Sequence, residues 1–239
     1  MPPLCLLLLF FFACAPAPIP DRHAETSAAC DLPAPFVRES SDPGALPPID
    51  DLCVEHLVYD LNISDDVRRS AWAPWVFESL VQLLGRPAGA LTEGVALRAP
   101  LIQILEDVEA RGGGEDVGAR LYNLTADRVR GVSLDDGALR VDTREGWRRL
   151  DAPPAAGAID GPSGAGSWVH LAAHGLGPDH VPCPDDGREA CDEDWDGALG
   201  AEVGALELWS RACDVEAEPG SCALLREARD RQMDWILTP

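Results

Sequence analysis

Three histidines in the C-terminal half of the chain have a spacing that can hold a metal ion. His170 and His174 are four residues apart, and His180 follows after a short segment that contains glycine. Four residues make about one helical turn, so the first two imidazoles would lie on one face of a helix. Neutral imidazole is a common ligand of zinc. The pattern therefore raises the hypothesis of a zinc site.

This segment resembles the zinc signature of the metzincin metalloproteases, in which a third histidine follows a glycine, here Gly177. The family places a glutamate directly after the first histidine, where it acts as general base on the zinc-bound water. Leu171 occupies that position and cannot accept a proton, so hydrolysis by that mechanism is excluded. A later Met-turn is also missing, because the only methionine besides Met1 is Met233, near the C-terminal end.

We therefore expect ordinary surface or half-buried histidines and assign no catalytic, cofactor-binding or metal-binding residue. A structural zinc site, or an inactive metzincin-like zinc protein, is the alternative. The chain has no serine elbow, P-loop, dinucleotide fingerprint or Cys-x-x-Cys pair. These observations predict a binding protein that is not an enzyme and uses no cofactor.

The N-terminus has the features of an export signal. Leu4 to Ala13 is a continuous apolar run, and small residues follow at Ala15 to Ala17. We interpret residues 1–17 as a signal peptide, with a bacterial lipoprotein acylation site at Cys14 as the alternative. No later apolar stretch reaches the roughly 18 residues that a membrane helix needs. The protein is expected to be secreted and not bound to a membrane.

The cysteines and two sequons are consistent with export. Asn62 and Asn123 begin Asn-x-Ser/Thr triplets and are candidate glycosylation sites. An even number of cysteines in an exported chain predicts three disulfides, although the pairing stays open among 15 connectivities. We expect these bridges to staple both ends of the chain to a central body. The six cysteines that follow the signal are Cys30, Cys53, Cys183, Cys191, Cys213 and Cys222.

The chain is strongly acidic, with 41 acidic residues, 19 basic residues and a formal net charge of −22. This charge argues against nucleic acid and anionic membranes as partners, because both attract cationic surfaces. It permits a basic protein partner. Val181 to Asp196 holds seven acidic residues and two of the cysteines. We interpret it as a disulfide-closed solvated loop, with an electrostatic contact patch as the alternative.

The largest concentration of aromatic side chains lies in the segment Trp72-Ala-Pro74-Trp75-Val76. Pro74 fits the first turn of a helix, and the apolar residues that follow keep helical spacing as far as Leu84. We predict a helix from Pro74 to Leu84, with Trp75 supporting the scaffold and Trp72 more exposed. The remaining question is whether the two rings also contact a ligand.

Trp-x-Pro-Trp-Val in a secreted, glycosylated, six-cysteine chain resembles the parapoxvirus inhibitors of granulocyte–macrophage colony-stimulating factor and interleukin-2. Those proteins carry an aspartate where Ala73 stands here. The resemblance implies a β-sandwich of the poxvirus immune-evasion type and a soluble, homodimeric viral decoy that sequesters host cytokines. Trp72, Pro74, Trp75 and Val76 would be its ligand-binding motif. A secreted chemokine-binding protein or another exported interaction protein is the alternative.

The residue patterns favour a mainly β chain with two or three short helices and long disulfide-pinned loops. The apolar periodicity predicts a second helix from Pro100, ended by the glycines at 112–114. Residues 132–141 have the pattern of a β-hairpin with a tight turn. We predict further strands at 52–61, 117–122, 206–209 and 233–237. Residues 18–50 would form an extended leader, and 51–239 one β-sandwich-like cytokine-binding domain.

Overall fold

The computed structural model shows a mainly helical protein, and the predicted β-sandwich is wrong. Nine helices and five short strands form within the part of the chain that the structure describes. That part comprises residues 17–31, 49–85, 99–112, 117–151, 161–174, 176, 178–184, 189–213 and 219–237. The N-terminal half contains α1 (Arg22–Cys30), α2 (Asp51–Leu61), α3 (Asp65–Arg68), α4 (Ala73–Gly85), α5 (Ala99–Ala110) and α6 (Val117–Arg128). The remaining elements are β1 (Val129–Asp135), β2 (Ala138–Thr143), β3 (Gly146–Leu150), α7 (Gly161–Ala173), β4 (Val181–Pro182), β5 (Glu189–Cys191), α8 (Ala198–Ala212) and α9 (Pro219–Met233).

Three of the predicted strands are helices, namely α2, the first half of α6 and the second half of α8. The reason is visible in α6, where every residue from Val117 to Ala126 is buried. The polar side chains of Arg120, Asn123 and Thr125 are buried along with the apolar ones, so the usual match between polar residues and a solvent-exposed helix face is missing. The predicted C-terminal edge strand is also replaced, by the end of α9 and one isolated bridge between Asp192 and Ile236.

The local predictions with strong turn or capping signals are confirmed. Helix α4 spans Ala73–Gly85, and α5 begins at Ala99. The hairpin pairs β1 with β2 in antiparallel register, and β3 adds a third strand in the order β1-β2-β3. Asp136 and Gly137 both have positive φ, of 51° and 80°. Two consecutive left-handed residues make the type of turn whose twist matches a two-residue hairpin.

The segment predicted as an extended leader contains helix α1, which packs against α2. The Cys30–Cys53 disulfide joins these two helices. Arg22 Nη1 donates a 2.5 Å hydrogen bond to the carbonyl of Asp60 in α2. The described part of this segment therefore belongs to the folded body. Among the described residues, no helix is long and apolar enough to cross a membrane.

Helix α7 lies at the centre of the molecule, packed against α4 on one side and α8 on the other. Gly164 allows the close contact with α4, because a Cβ atom there would lie 2.7 Å from the Cβ of Ser79. The indole of Trp168 stacks on Trp75 and donates a 2.7 Å hydrogen bond to Ser79 Oγ. A helix held on both sides in this way presents its C-terminal residues in a fixed position.

Candidate metal site

The C-terminal part of α7 brings the three histidines together. His170 lies in the last turn of α7, and His174 directly follows the helix and continues it with a 3.2 Å hydrogen bond from its N–H to the His170 carbonyl. His180 lies immediately before β4 and faces the same two rings. Among the described residues, these three form the only group of three or more His, Cys, Asp or Glu side chains placed to hold a metal ion.

The ring nitrogens converge at distances that suit a tetrahedral metal. Nε2 of His170 lies 3.1 Å from Nε2 of His174 and 3.2 Å from Nε2 of His180. All three candidate ligand atoms lie within 4.8 Å of one another. Zinc–nitrogen bonds of about 2.0–2.1 Å in tetrahedral geometry place two ligand atoms about 3.3–3.4 Å apart. A small inward or outward movement of each ring is therefore enough to seat zinc.

Two of the rings have a carboxylate behind them, at the nitrogen that faces away from the shared centre. Nδ1 of His180 lies 2.6 Å from Asp192 Oδ1, and Nδ1 of His170 lies 3.2 Å from Glu202 Oε2. Both carboxylates are buried, with Asp192 1% and Glu202 3% exposed. The His180–Asp192 contact is a hydrogen bond, and a carboxylate bonded to the outer nitrogen favours the tautomer that leaves Nε2 unprotonated and makes the ring a better metal ligand. Glu202 lies close to Nδ1 of His170 but does not have hydrogen-bond geometry to it, so it contributes negative charge beside that ring.

Each carboxylate is itself held in place. Asp192 Oδ2 accepts a 2.7 Å hydrogen bond from the backbone N–H of Leu199 in the first turn of α8, where the helix dipole favours a negative charge. Gly197 is required beside it, since a Cβ atom there would lie 2.2 Å from Oδ2 of Asp192. Glu202 Oε1 accepts a 3.1 Å hydrogen bond from Gln232 Nε2 in α9. The carboxylates are thus positioned by the framework of α8 and α9.

The Cys183–Cys191 disulfide closes the hairpin that carries both His180 and Asp192. His180 precedes β4 and Asp192 follows β5, and these two strands pair in antiparallel register. The bridge therefore holds the third histidine next to its carboxylate partner. The acidic segment that we interpreted as a solvated loop contains a buried carboxylate that supports the histidine cluster.

His174 is the most deeply buried of the three rings. Burial, together with the neighbouring His170, Arg148 and His180, lowers the pKa of His174 to about 2. The neutral ring carries one proton, which lies on Nε2 while Nδ1 accepts from Arg148 and which moves to Nδ1 when Nε2 binds a metal ion. Arg148 Nη2 lies 3.2 Å from Nδ1 of His174, on the outer side of the ring.

Leu171 lines the same cavity as the histidines and is buried. It takes the position at which a metalloprotease of this pattern has its general base. The nearby carboxylate of Glu202 lies at the outer nitrogen of His170, away from the ring nitrogens that converge. The described histidines are therefore arranged to bind a metal ion, and the position of the metalloprotease general base holds Leu171.

The tryptophan motif belongs to the core. Trp72 and Trp75 are both buried and meet edge to face with 6.0 Å between ring centroids. The expectation that Trp72 is the exposed ring is wrong, because it is 1% exposed and its Nε1 donates to the Gly137 carbonyl at 3.0 Å. Val76 is also buried, and Pro74 alone of the four is exposed. These residues join α4 to the hairpin turn and to α7.

The two sequons differ in their surroundings. Asn62 is exposed at the C-terminal end of α2, where its side chain donates to the Arg130 carbonyl at 3.1 Å. Asn123 is 1% exposed and donates to Asp21 Oδ1 at 2.9 Å. The folded chain therefore offers Asn62 for modification and keeps Asn123 inside.

The prediction of three disulfides is confirmed. The structure gives the pairing as Cys30–Cys53, Cys183–Cys191 and Cys213–Cys222. The Cys30–Cys53 bridge ties the N-terminal segment to α2, as expected for that end, whereas the other two bridges close sequence separations of only 8 and 9 residues and do not join the C-terminal part to an element distant in sequence. Each bridge joins elements that are neighbours along the chain.

Sequence reasoning did not identify Glu202 or Asp192. Neither residue has a local signal, since acidic residues are frequent throughout the chain. Gly166 packs against Glu202, and Gly197 packs against Asp192. The sequence does not distinguish these two glycines from the others in the chain.

No known protein family, characterised protein or solved structure matches this chain. The site must therefore be interpreted from its own geometry.

Proposed function

We propose that this protein binds one divalent transition-metal ion, most favourably zinc, through His170, His174 and His180. The observation that carries the proposal is the convergence of three Nε2 atoms, with carboxylates at the outer nitrogens of His170 and His180. Three imidazoles with an open fourth position are a donor set that zinc favours. Because Leu171 replaces the expected base, we propose metal binding without peptide hydrolysis.

The test is metal stoichiometry and affinity on the purified, oxidised chain. After chelator treatment and desalting, the protein is titrated with zinc in competition with a chromophoric chelator. We expect one equivalent of zinc per chain, and cobalt substitution should give the intense visible bands of a tetrahedral site. A titration in which zinc saturates the chelator and no equivalent of zinc binds to the protein would contradict the proposal.

The matched variants are His174→Ala, His180→Ala and His56→Ala. The first two remove a proposed ligand and should abolish stoichiometric binding. His56 lies on α2, outside the cluster, so His56→Ala should still bind one equivalent of zinc per chain. His180 is more exposed than His174, which makes His180→Ala the safer variant if His174→Ala fails to fold. Circular dichroism of each variant controls for folding.

We also propose an oxidising location for the protein, either secreted or otherwise exported. Three disulfides support it, because such bridges persist outside the reducing cytosol. The signal segment that underlies the prediction of secretion lies outside the described residues.

Cytokine or chemokine sequestration by a homodimer stays a prediction from the five-residue resemblance. The fold implied by that resemblance is not the fold of this chain, and the motif is mostly buried. Immobilised protein can be tested against granulocyte–macrophage colony-stimulating factor, interleukin-2 and a chemokine panel. Binding that survives Pro74→Ala would show that the exposed part of the motif is not the contact.

A further inference from the structure

We infer that the metal-loaded site takes a monocarboxylate with an apolar body, one oxygen on the metal and the other on Arg148. This inference rests on the proposed function, because the metal supplies one of the two contacts. It concerns the fourth ligand, which the three histidines leave open.

The histidines open onto a cavity of about 370 Å³. That volume lies within the range of small-molecule sites, which is about 300–1,000 Å³. One part of the wall is apolar and is formed by Leu150, Leu171, Leu199 and Trp235. An occupant therefore needs an apolar body as well as a group that reaches the metal.

The formal charge of the loaded site favours an anion. The metal would contribute +2 and the cavity-lining Arg148 and Arg149 +1 each, whereas Glu202, Asp192 and the exposed Asp179 contribute −1 each, which leaves +1. The carboxylates of Glu202 and Asp192 lie at the outer nitrogens of the rings, so neither fills the open position. In a partly buried site such a net charge is stabilised by an anionic ligand, even though the whole chain is acidic.

Arg148 is placed to provide the second contact. Its side chain is 34% exposed and lines the cavity. Its carboxylate neighbour Asp179 is 3.6 Å away and 87% exposed, and an ion pair in so much solvent is weak. The guanidinium is therefore available to a ligand that offers a better acceptor.

Metal binding would also release Arg148 from its present contact. The Nδ1 atom of His174 now accepts from Arg148 at 3.2 Å, which requires Nδ1 to be unprotonated. When Nε2 binds a metal, the neutral ring carries its proton on Nδ1 and can no longer accept. Loading the site therefore frees a cation at the mouth of the same cavity.

A carboxylate fits these two contacts better than a phosphate. Its two oxygens can divide between a metal and one guanidinium, and charge-assisted hydrogen bonds of this kind are the stronger ones. A phosphate would bring further oxygens towards the apolar wall, where they would lack donors. The carboxylate can belong to a free acid or to the C-terminus of a peptide.

The test is calorimetric titration of the zinc-loaded, oxidised chain with 4-phenylbutyrate and with its neutral amide, 4-phenylbutyramide. We expect the acid to bind at least about tenfold more tightly than the amide, because the amide lacks the charge that both contacts need. Equal binding of acid and amide, or equal binding of the acid to zinc-free protein, would overturn the inference. Inorganic phosphate that binds as tightly as the acid would overturn it too.

The variants are Arg148→Gln and the control Arg140→Gln. Arg140 lies one strand away, where it pairs with Asp142 at 2.8 Å. At a zinc concentration that saturates each variant, Arg148→Gln should weaken binding of the acid about tenfold or more, and Arg140→Gln should bind zinc and the acid as the wild type does. Unchanged acid binding by Arg148→Gln would remove Arg148 from the site and contradict the inference.

Two further measurements separate the alternatives. Zinc affinity is determined on the same preparations, so a chain that binds zinc and no acid refutes only this inference, whereas failure to bind zinc refutes the proposed function. A short peptide with a C-terminal leucine is compared with its amidated form. Tighter binding of the free-carboxylate peptide than of phenylbutyrate identifies a chain terminus as the source, and the reverse order identifies a small acid.

Discussion

The roles of individual residues at this site follow from which ring nitrogen each one contacts. Glu202 and Asp192 contact the outer nitrogens, so we describe them as positioning residues for His170 and His180. Leu171 faces the cavity and contributes surface without a proton-accepting group. The metzincin-like spacing would imply hydrolysis by the metzincin mechanism only with a carboxylate at position 171.

We predict that Glu202→Gln lowers zinc affinity by about 10- to 100-fold, the usual cost of losing an outer-shell partner of a ligating histidine. The amide keeps the shape of the side chain and removes the charge that makes the imidazole a better ligand. Competition titration with a chromophoric chelator measures the change.

The control for this variant is Glu207→Gln on the same helix, where Glu207 pairs with Arg211 at 2.5 Å. It should bind zinc as the wild type does. Equal affinities for Glu202→Gln and Glu207→Gln would show that the carboxylate beside His170 has no effect on the metal.

At the scale of elements, the site is assembled from three pieces of the chain. Helix α7 supplies two histidines, the β4–β5 hairpin brings His180 to Asp192, and α8 supplies Glu202 and the backbone donor for Asp192. The disulfide across the hairpin connects the third ligand to this framework.

We predict that Cys183→Ala/Cys191→Ala lowers zinc affinity by about tenfold or more, because His180 loses the constraint that holds it beside Asp192. The matched variant is Cys213→Ala/Cys222→Ala, which removes a bridge of similar loop length, 9 residues against 8. In the chain-entropy model, loops of equal length give similar losses of stability.

Both double variants should therefore unfold at similarly reduced denaturant concentrations. Only Cys183→Ala/Cys191→Ala should also lose zinc affinity. Denaturant unfolding and zinc titration are measured on the same samples. Parallel losses of zinc affinity in both variants would mean that the hairpin bridge acts only through general stability.

At the scale of the whole molecule, the metal should stabilise the native state, because the site exists only when α7, α8 and the hairpin are packed together. Trp75 of α4 and Trp168 of α7 belong to one hydrophobic core, and α7 also carries His170. Ligation is therefore linked to global unfolding.

We predict that zinc at about 100 times its dissociation constant adds about 2.7 kcal/mol to the free energy of unfolding. For a domain of this size, that corresponds to a rise in melting temperature of about 5–10 °C. Differential scanning calorimetry with and without zinc measures the shift. Magnesium is the control, since it prefers oxygen ligands, and an equal shift with magnesium would argue against the histidine site.

The sequence by itself determined the features whose physics is local. A proline at a helix start, a glycine-containing tight turn and an apolar stripe of period 3.6 predicted α4, α5 and the β1–β2 hairpin. An even cysteine count in a chain with export signals predicted three disulfides. The spacing of His170 and His174 identified a possible ligand pair, because one helical turn is a local distance.

The fold class and the site as a whole were decided only by the tertiary structure. Helices α6 and α8 are buried on almost all sides and bury polar residues such as Asn123 and Glu202, so their sequence patterns do not mark a solvent-exposed face, and the patterns predict parts of both as strands. Asp192 and Glu202 reach the histidines only through the packing of α8 against α7 and through the disulfide-closed hairpin. Contacts of that kind depend on how elements pack, and neither propensity nor spacing encodes them.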